Sequence, residues 1–227
     1  FVVFSPTMQL AAQDASRKAP VDQPYPGTLA VKVDLTDAAK RIFRVHETIP
    51  VKSGPFTLLY PEWIPGEHAP SGPIQNVAGL IITANGKQLP WRRDLRDMFA
   101  INLDVPAGVS QLDVSFQFLS PAPGQGSLFG ASASSTPNFV DVEFNQVAFY
   151  PAGHYSSQIH IQPTVELPLG WKFGTALQVD SHSDTTITFK PVTFNYVGVS
   201  PRRSGTPFDS VDLAPVAKLP VHLNLVC

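Results

Sequence analysis

Apolar and polar side chains alternate along most of the chain from residue 29 onward. In the first such run, Leu29, Val31, Val33 and Leu35 are separated by smaller or polar residues. An alternation with a period of two predicts a β-strand that buries one of its faces. The other alternating runs cover residues 43–49, 56–60, 99–105, 112–118, 140–144, 159–167, 187–189 and 221–225. Turn residues separate these runs at intervals of about 8–12 residues, so the pattern predicts an all-β domain, a mainly antiparallel β-sandwich of about ten strands.

The connections between the runs carry two local predictions. Residues 99–105 and 112–118 are separated by the turn sequence Pro106-Ala107-Gly108, so they are predicted to pair as an antiparallel hairpin. Residues 37–41 predict one helical turn. Longer helices are excluded because 23 prolines are spread along the whole chain and an interior proline breaks a helix.

Two stretches rich in turn residues interrupt the alternation and are predicted to be loops. Residues 121–137 are rich in glycine, serine and alanine and include Leu128 and Phe129. Residues 61–73 carry a tryptophan among several prolines. We expect the prolines to make this second loop rigid. We also expect Trp63 to be largely buried as its anchor, and Glu67 and His68 to project from the surface.

Composition excludes several classes of protein. The chain has 227 residues, of which 43% are hydrophobic and 15% charged, and its net charge is -2; this is a folded rather than a disordered composition. No basic run is longer than two residues, which argues against a nucleic-acid partner. No stretch reaches the roughly 20 apolar residues of a membrane span. Cys227 is the single cysteine, so neither an intramolecular disulfide nor a cysteine zinc site is expected.

The first 26 residues are predicted to be a signal-peptide remnant and linker, and residues 27–227 to be the domain. An apolar start at residues 1–4 runs through Leu10, Ala11 and Ala12 into a polar segment. A secretory signal peptide ends in the same order, with an apolar region followed by small residues at the cleavage site. This pattern predicts a periplasmic or secreted protein. A leader without a targeting function remains the alternative, because no charged region precedes the apolar one.

Catalytic motifs are nearly absent from the sequence. His46 and Glu47 open like the zinc motif H-E-x-x-H, but Pro50 stands where the second histidine belongs. The other histidines are scattered singly, and neither a nucleophile elbow nor a phosphate-binding glycine loop is present. Asp94 and Asp97 lie among arginines, which indicates a solvated turn whose opposite charges neutralise each other. The sequence therefore predicts no catalytic residue and no metal ligand in this chain.

A collinear set of short motifs resembles one family of peptidases. Residues 56–66 run from a strand into a P-x-W-x-P-G loop, and residues 85–90 follow as N-G-K-Q-L-P. A V-A-F-Y-P run at residues 147–151 and a P-x-G-W element at residues 168–171 extend the match. Together these motifs resemble the N-terminal domain of the glycyl aminopeptidase family, peptidase family M61, over about residues 27–227. The positions of the structural motif are Pro61, Trp63, Pro65, Gly66 and Trp171.

The resemblance implies a non-catalytic role for this chain. Members of the family are zinc aminopeptidases in which an N-terminal β-sandwich precedes a catalytic domain with H-E-x-x-H, usually followed by a PDZ domain. The implied partner is that downstream catalytic domain of the same polypeptide. The implied role is to pack against it and help shape its substrate cleft, with only indirect contact to the peptide. Zinc is expected in the catalytic domain, and no cofactor is expected in this chain.

The chain departs from the family pattern directly after Gly66. Residues 67–74 read E-H-A-P-S-G-P-I, where the family typically has Ser-Tyr followed by an Arg-Asp pair. No role of the family residues transfers to these positions. Trp63, Glu67 and His68 are therefore the candidates for binding or for contact between domains.

Two other functions stay open at this stage. A carbohydrate- or protein-binding module is the first alternative, because β-sandwiches commonly bind such ligands and aromatic side chains offer stacking faces. The aromatic candidates for it are Trp63, Trp91, Trp171 and Tyr155. An independent enzyme with a site assembled from Asp and His residues on loops is the second alternative. An H-E-x-x-H motif encoded downstream would favour the peptidase reading over both.

Overall fold

A computed structural model describes residues 19–64, 66–121, 133–200, 202–213, 215 and 221–226 of the chain. Strands dominate these residues, and the α-helix among them, α1 (Phe194–Gly198), is short. The all-β class predicted from the alternation is confirmed. Short 3-10 turns lie at Ala38–Lys40, Ile74–Asn76, Phe144–Gln146 and Ser156–Gln158, and the first of them confirms the helical turn predicted near residue 38. Within the described ranges no helix combines the length and the apolar character that crossing a membrane requires.

The described residues form nineteen strands. In chain order they are β1 (Thr28–Asp34), β2 (Ile42–Pro50), β3 (Gly54–Leu59), β4 (Val77–Ala84), β5 (Lys87–Gln88), β6 (Trp91–Arg93), β7 (Ala100–Val105), β8 (Gln111–Leu119), β9 (Ser134–Thr136), β10 (Phe139–Val142), β11 (Tyr150–Pro151), β12 (His160–Glu166), β13 (Lys172–Gly174), β14 (Val179–His182), β15 (Thr186–Phe189), β16 (Val192–Thr193), β17 (Arg202–Gly205), β18 (Phe208–Asp212) and β19 (His222–Val226). Nine of them have five or more residues. The others have two to four residues, and most of them are too short to show a clear alternation. Two longer strands, β4 and β18, were also not predicted from the sequence; the register of β4 is interrupted between Ala78 and Ile81.

The strands are arranged in four sheets. The largest has nine strands in the order β14-β15-β12-β1-β2-β8-β4-β5, with β16 paired to β12. Two sheets have four strands, in the orders β13-β17-β10-β9 and β11-β3-β7-β6, and β18 pairs with β19 in a separate sheet. The ladders between these strands are antiparallel except for β1 and β12, which run parallel. The predicted mainly antiparallel arrangement is confirmed.

One hydrophobic core lies between the large sheet and the two four-stranded sheets. Leu29 and Val33 of β1 are fully buried on one side of it, Ile101 of β7 and Val140 of β10 on the other, and all belong to the same cluster. In β1 and β7 the buried residues stand at alternate positions, and the residues between them are more exposed. Burial of one face of each strand is what gives the sequence its period of two.

The hairpin predicted from residues 99–118 is wrong. β7 pairs with β3 and β6 in a four-stranded sheet, whereas β8 pairs with β2 and β4 in the nine-stranded sheet. The connection at residues 106–110 therefore carries the chain from one layer to the other across the core. Both strands bury one apolar face. An alternation of apolar and polar residues shows that a face is buried, but it is the same whether two strands pair within one sheet or face each other across a core.

The N-terminal segment packs against the domain where the structure describes it. The backbone N–H of Val21 donates to the carbonyl of Gly153 at 3.0 Å, and that of Tyr25 donates to Gln158 at 2.8 Å. The hydroxyl of Tyr25 also donates to the carbonyl of Pro50. These contacts extend the packed part of the chain N-terminal to residue 27. The first 18 residues, on which the signal-peptide prediction rests, lie outside the described residues, as do Leu128 and Phe129.

Candidate functional site

The loop at residues 61–73 follows β3 and is closed by its own hydrogen bonds. The N–H of Gly72 donates to the carbonyl of Glu62 at 2.9 Å, and the N–H of Glu67 donates to Ile64 at 3.0 Å. The hydroxyl of Ser71 donates to the Glu67 carboxylate. A Cβ at Gly72 would lie 1.8 Å from the carbonyl oxygen of Pro61, so only glycine permits this close approach. The irregular loop predicted here is confirmed, and Pro65 lies outside the described residues.

The prediction that Trp63 is largely buried is wrong, because 60% of its surface is exposed. Pro61 and Ile64, its neighbours in the loop, are the buried residues. These two residues, rather than the indole, are buried, and the indole lies at the surface. Glu67 is half-buried and His68 is exposed.

Trp63 lies at the wall of a cleft with a volume of about 340 Å³. Five segments that are distant in the sequence meet there: Pro20 of the N-terminal segment, the end of β3 with the loop, the residues before β7, residues 145–156 and helix α1. The aromatic side chains that line the cleft are Tyr60, Trp63, Phe99, Tyr150, His154 and Phe194. The polar ones are Glu62, Asp97, Asn145, Ser156 and Asn195. A concave, mainly aromatic surface with a few polar groups is typical of a binding site.

The floor of the cleft is held by buried hydrogen bonds. The Tyr60 hydroxyl donates to the carbonyl of Gln146 at 2.8 Å, and burial raises the pKa of that hydroxyl well above its ordinary value of 10.0. The side-chain amide of Asn145 donates to the carbonyl of Gly198 at 2.7 Å, which ties the 3-10 turn at Phe144–Gln146 to α1. The other side-chain atom of Asn145, Oδ1, is buried and has no hydrogen-bond partner among the described residues.

An acidic group lies beneath the loop. Burial, reinforced by the negative charges of Asp141 and Glu67, raises the pKa of Glu143 from 4.5 to about 7. Burial also raises the pKa of Asp141, although the Arg203 guanidinium lies 3.3 Å from its carboxylate. The side chain of Gln146 donates to Glu143 at 3.2 Å. This group links Glu67 of the loop electrostatically to the segment that forms the floor of the cleft.

The described side chains around His46 and Glu47 do not fit a zinc ion. His46 and Glu47 lie on opposite faces of β2, because successive residues of a strand point in opposite directions. Glu47 is fully buried, whereas His46 is exposed and lies 3.1 Å from the hydroxyl of Ser115. In the part of the chain that the structure describes, no three His, Cys, Asp or Glu side chains are grouped to hold a metal ion.

The other aromatic candidates fall into two groups. Tyr155 is 49% exposed and stands between two residues that line the cleft. Trp91 and Trp171 are partly buried and pack against the core instead, and the indole N–H of Trp91 donates to the carbonyl of Leu80 at 3.3 Å. The structure therefore brings Trp63 and Tyr155 to one region of the surface and leaves the other two tryptophans out of it.

Sequence reasoning missed several residues of the cleft. Glu62, Asn145 and Tyr150 line it, and Glu143 lies in the acidic group beside it. The one signal that pointed to this segment was the V-A-F-Y-P run at residues 147–151. It marked the position of the floor without indicating that it faces residues 61–63.

Comparison with known proteins relates the chain to an N-terminal domain of peptidases. Residues 30–205 match the family described as Peptidase M61 N-terminal domain. The structure is similar to that of an aminopeptidase N family protein from Idiomarina loihiensis, with 17% sequence identity and a TM-score of 0.73 over 88% of this chain and 32% of that chain. It is also similar to a mutant two-domain M1 zinc metallopeptidase bound to L-tryptophan, with 11% identity and a TM-score of 0.50 over 92% of this chain and 48% of that chain. This chain thus spans less than half the length of either structure. No curated protein matches it.

Proposed function

Because the chain belongs to the peptidase M61 N-terminal domain family, we propose that it is the non-catalytic leading domain of a zinc aminopeptidase. In this proposal the face that carries Trp63 packs against the catalytic domain of the same polypeptide and helps shape its substrate cleft. The zinc ion belongs to that downstream domain, and the side chains described above supply no set of ligands for it.

The exposed position of Trp63 at the wall of the cleft is the observation that carries the proposal. Met98, Tyr155, Tyr196 and Val199 are neighbours in sequence of other residues that line the cleft, and between 46% and 54% of the surface of each is exposed. A cleft rimmed by exposed apolar side chains is typical of a protein interaction site. Large aromatic residues often dominate the binding energy of such sites.

The buried contacts beneath the rim support the same role. A surface that positions a substrate cleft must hold its own shape, and here the floor is tied to the core by Tyr60 and to α1 by Asn145. The loop is closed by the backbone bond between Gly72 and Glu62. Trp63 is therefore presented on a scaffold that needs little ordering when a partner binds.

Trp63→Ala tests this proposal in two contexts. In the 227-residue chain we expect the free energy of unfolding to change by no more than about 0.5 kcal/mol, as for other exposed residues. In the polypeptide encoded by the complete gene we expect kcat/KM for an aminoacyl p-nitroanilide to fall at least about fivefold, or the two domains to unfold separately. Leu169→Ala is the matched control, because Leu169 is 80% exposed and does not line the cleft. Equal kinetics and equal melting of both variants and the unmodified enzyme would overturn the proposal.

Carbohydrate binding is the second candidate, and the exposure of Trp63 and Tyr155 in one region favours it. In that case the 227-residue chain itself binds members of a glycan array, and Trp63→Ala abolishes the binding. Absence of glycan binding together with loss of aminopeptidase activity in the complete polypeptide would leave the peptidase proposal as the better account.

A further inference from the structure

The hairpin of β18 and β19 turns an apolar face to the surface. Val211 pairs with Leu223 and Asp209 with Leu225, and the N–H of Leu213 donates to the carbonyl of Val221 at 2.7 Å. Directly paired residues share a face of a sheet, so five aliphatic side chains stand together on one face. Their exposed fractions are 42% for Val211, 57% for Leu213, 48% for Val221, 44% for Leu223 and 45% for Leu225.

The opposite face of this hairpin is the one that contacts the sandwich. A Cβ at Gly174 of β13 would lie 2.5 Å from the side-chain amide of Asn224, and one at Gly205 of β17 would lie 2.6 Å from Val226. Ser210 and Asn224 form a pair on this inner face. A surface hairpin ordinarily turns its apolar face to the core and its polar face to water. On this inner face the apolar pair Phe208 and Val226 is half-buried, and Ser210 and Asn224 are exposed. The larger set of aliphatic side chains lies on the outer face, away from the sandwich.

An outer face with five exposed aliphatic side chains is suited to contact with a further layer. Within the described part of the chain, β18 and β19 pair only with each other, and a two-stranded hairpin on its own is at best marginally stable in water. Three or more strands with a shared apolar face are the usual stable unit. In the described part of the chain, the aliphatic face of the hairpin therefore remains exposed to water.

The position of the hairpin in the chain identifies the occupant. The match to the N-terminal domain family ends at residue 205, and β18 begins at Phe208. The Idiomarina structure continues well beyond the matched part, since this chain covers 32% of it. We propose that the apolar face of β18 and β19 is a docking surface for the peptidase domain of the same polypeptide, which contributes an apolar surface of its own. This inference rests on the proposed function, and it adds a second contact to the one at Trp63.

Hydrogen exchange distinguishes a covered hairpin from an exposed one. We expect the backbone amides of β18 and β19 to exchange at least about tenfold more slowly in the complete polypeptide than in the 227-residue chain. Equal exchange in both would overturn the proposal. A dimer of the 227-residue chain that protects the hairpin equally well would also overturn it, in favour of a second copy as the occupant.

Leu223→Asp and Ser210→Asp form a matched pair, because both residues are exposed and lie on opposite faces of the hairpin. In the 227-residue chain we expect neither to change the melting temperature by more than a few degrees. In the complete polypeptide we expect Leu223→Asp to separate the unfolding of the two domains and Ser210→Asp to leave it cooperative. A cooperative Leu223→Asp polypeptide would overturn the proposal.

Activity separates a failure of this inference from a failure of the proposed function. An active aminopeptidase whose hairpin amides stay unprotected overturns the docking surface and leaves the function in place. An inactive polypeptide with a protected hairpin overturns the aminopeptidase function and supports the hairpin as a contact between domains.

Discussion

The carboxyl of Glu47, in the middle of β2, accepts a hydrogen bond at 2.9 Å from the backbone N–H of Phe149, 102 residues later in the chain. Both residues are buried, and burial raises the pKa of Glu47 well above its ordinary value of 4.5. The bond joins the inner face of the nine-stranded sheet to the segment that carries Asn145 and Tyr150 into the cleft. An acid in the core thus helps to position the floor of the candidate site.

Glu47→Gln and Glu47→Ala test the role of this bond. Burial raises the pKa of this carboxyl and so disfavours its charged form. Glutamine is a neutral side chain that keeps the volume and an acceptor oxygen for the Phe149 N–H. We expect Glu47→Gln to change the free energy of unfolding by less than about 1 kcal/mol. Glu47→Ala leaves the Phe149 N–H unpaired and opens a cavity, and we expect a loss of about 2–4 kcal/mol. Urea unfolding at pH 7 decides between them, and equal losses would contradict the argument.

Glu143 is expected to make the stability of the chain depend on pH. Its folded pKa of about 7 is above the ordinary value of 4.5, so the folded state holds a proton that the unfolded state releases. The free energy of unfolding therefore falls as pH rises from 4.5 to 7 and then levels off, with a total change of about 1–3 kcal/mol. Glu143→Gln removes this contribution. Glu67→Gln reduces it, because the charge of Glu67 helps to raise the pKa of Glu143. The measurement is the urea midpoint of the unmodified chain, Glu143→Gln and Glu67→Gln between pH 4 and pH 8. Parallel curves of midpoint against pH for these three proteins would refute the prediction.

Gly72→Ala is expected to open the loop that carries Trp63. The new Cβ would meet the backbone of Pro61 at 1.8 Å, and a backbone carbonyl cannot turn aside as a side chain can. We expect a loss of about 1–3 kcal/mol and a change in tryptophan fluorescence. Gly198→Ala is the control, since its nearest neighbour is the Cβ of Asn145 at 3.8 Å. Identical denaturant curves and spectra for both variants would show that the loop is not closed in this way.

Arg202 and Arg203 are adjacent but are expected to respond in opposite ways to replacement by methionine. Arg202 is fully buried, its guanidinium nitrogens have no hydrogen-bond acceptor among the described residues, and burial lowers its pKa to about 9. The guanidinium lies between aromatic rings, 3.7 Å from the centroid of Phe189. Because a buried unpaired cation is costly, we expect Arg202→Met to leave the free energy of unfolding unchanged or to raise it by up to about 2 kcal/mol.

Arg203→Met supplies the comparison. Arg203 is exposed and forms an ion pair with Asp141, whose carboxylate is buried. Removing the cation leaves that carboxylate without its charged partner, so we expect a loss of about 1–3 kcal/mol. Thermal and urea unfolding measure both variants side by side. A loss at Arg202→Met larger than the loss at Arg203→Met would contradict this assignment.

The sequence by itself determined the features that depend on near neighbours. The alternation at Leu29, Val31 and Val33 predicted strands, because every second residue of a strand points to the same face and a buried face is therefore apolar at every second position. The prolines of residues 61–73 predicted a loop, since each one removes a backbone donor. Pro50 in place of a histidine excluded the zinc motif that His46 and Glu47 begin. A collinear set of short motifs was enough to indicate the family.

Only the tertiary structure decided which distant segments meet. β7 and β8 have the same alternation whether they pair in one sheet or face each other across the core, and the structure places them in different layers. The tertiary structure also decided which residues of the loop are buried, and these are Pro61 and Ile64 rather than Trp63. The approach of Glu67 to Glu143, and of Trp63 to Asn145, joins residues about 80 positions apart. Such contacts arise from packing between layers, and the local periodicity of the sequence does not predict them.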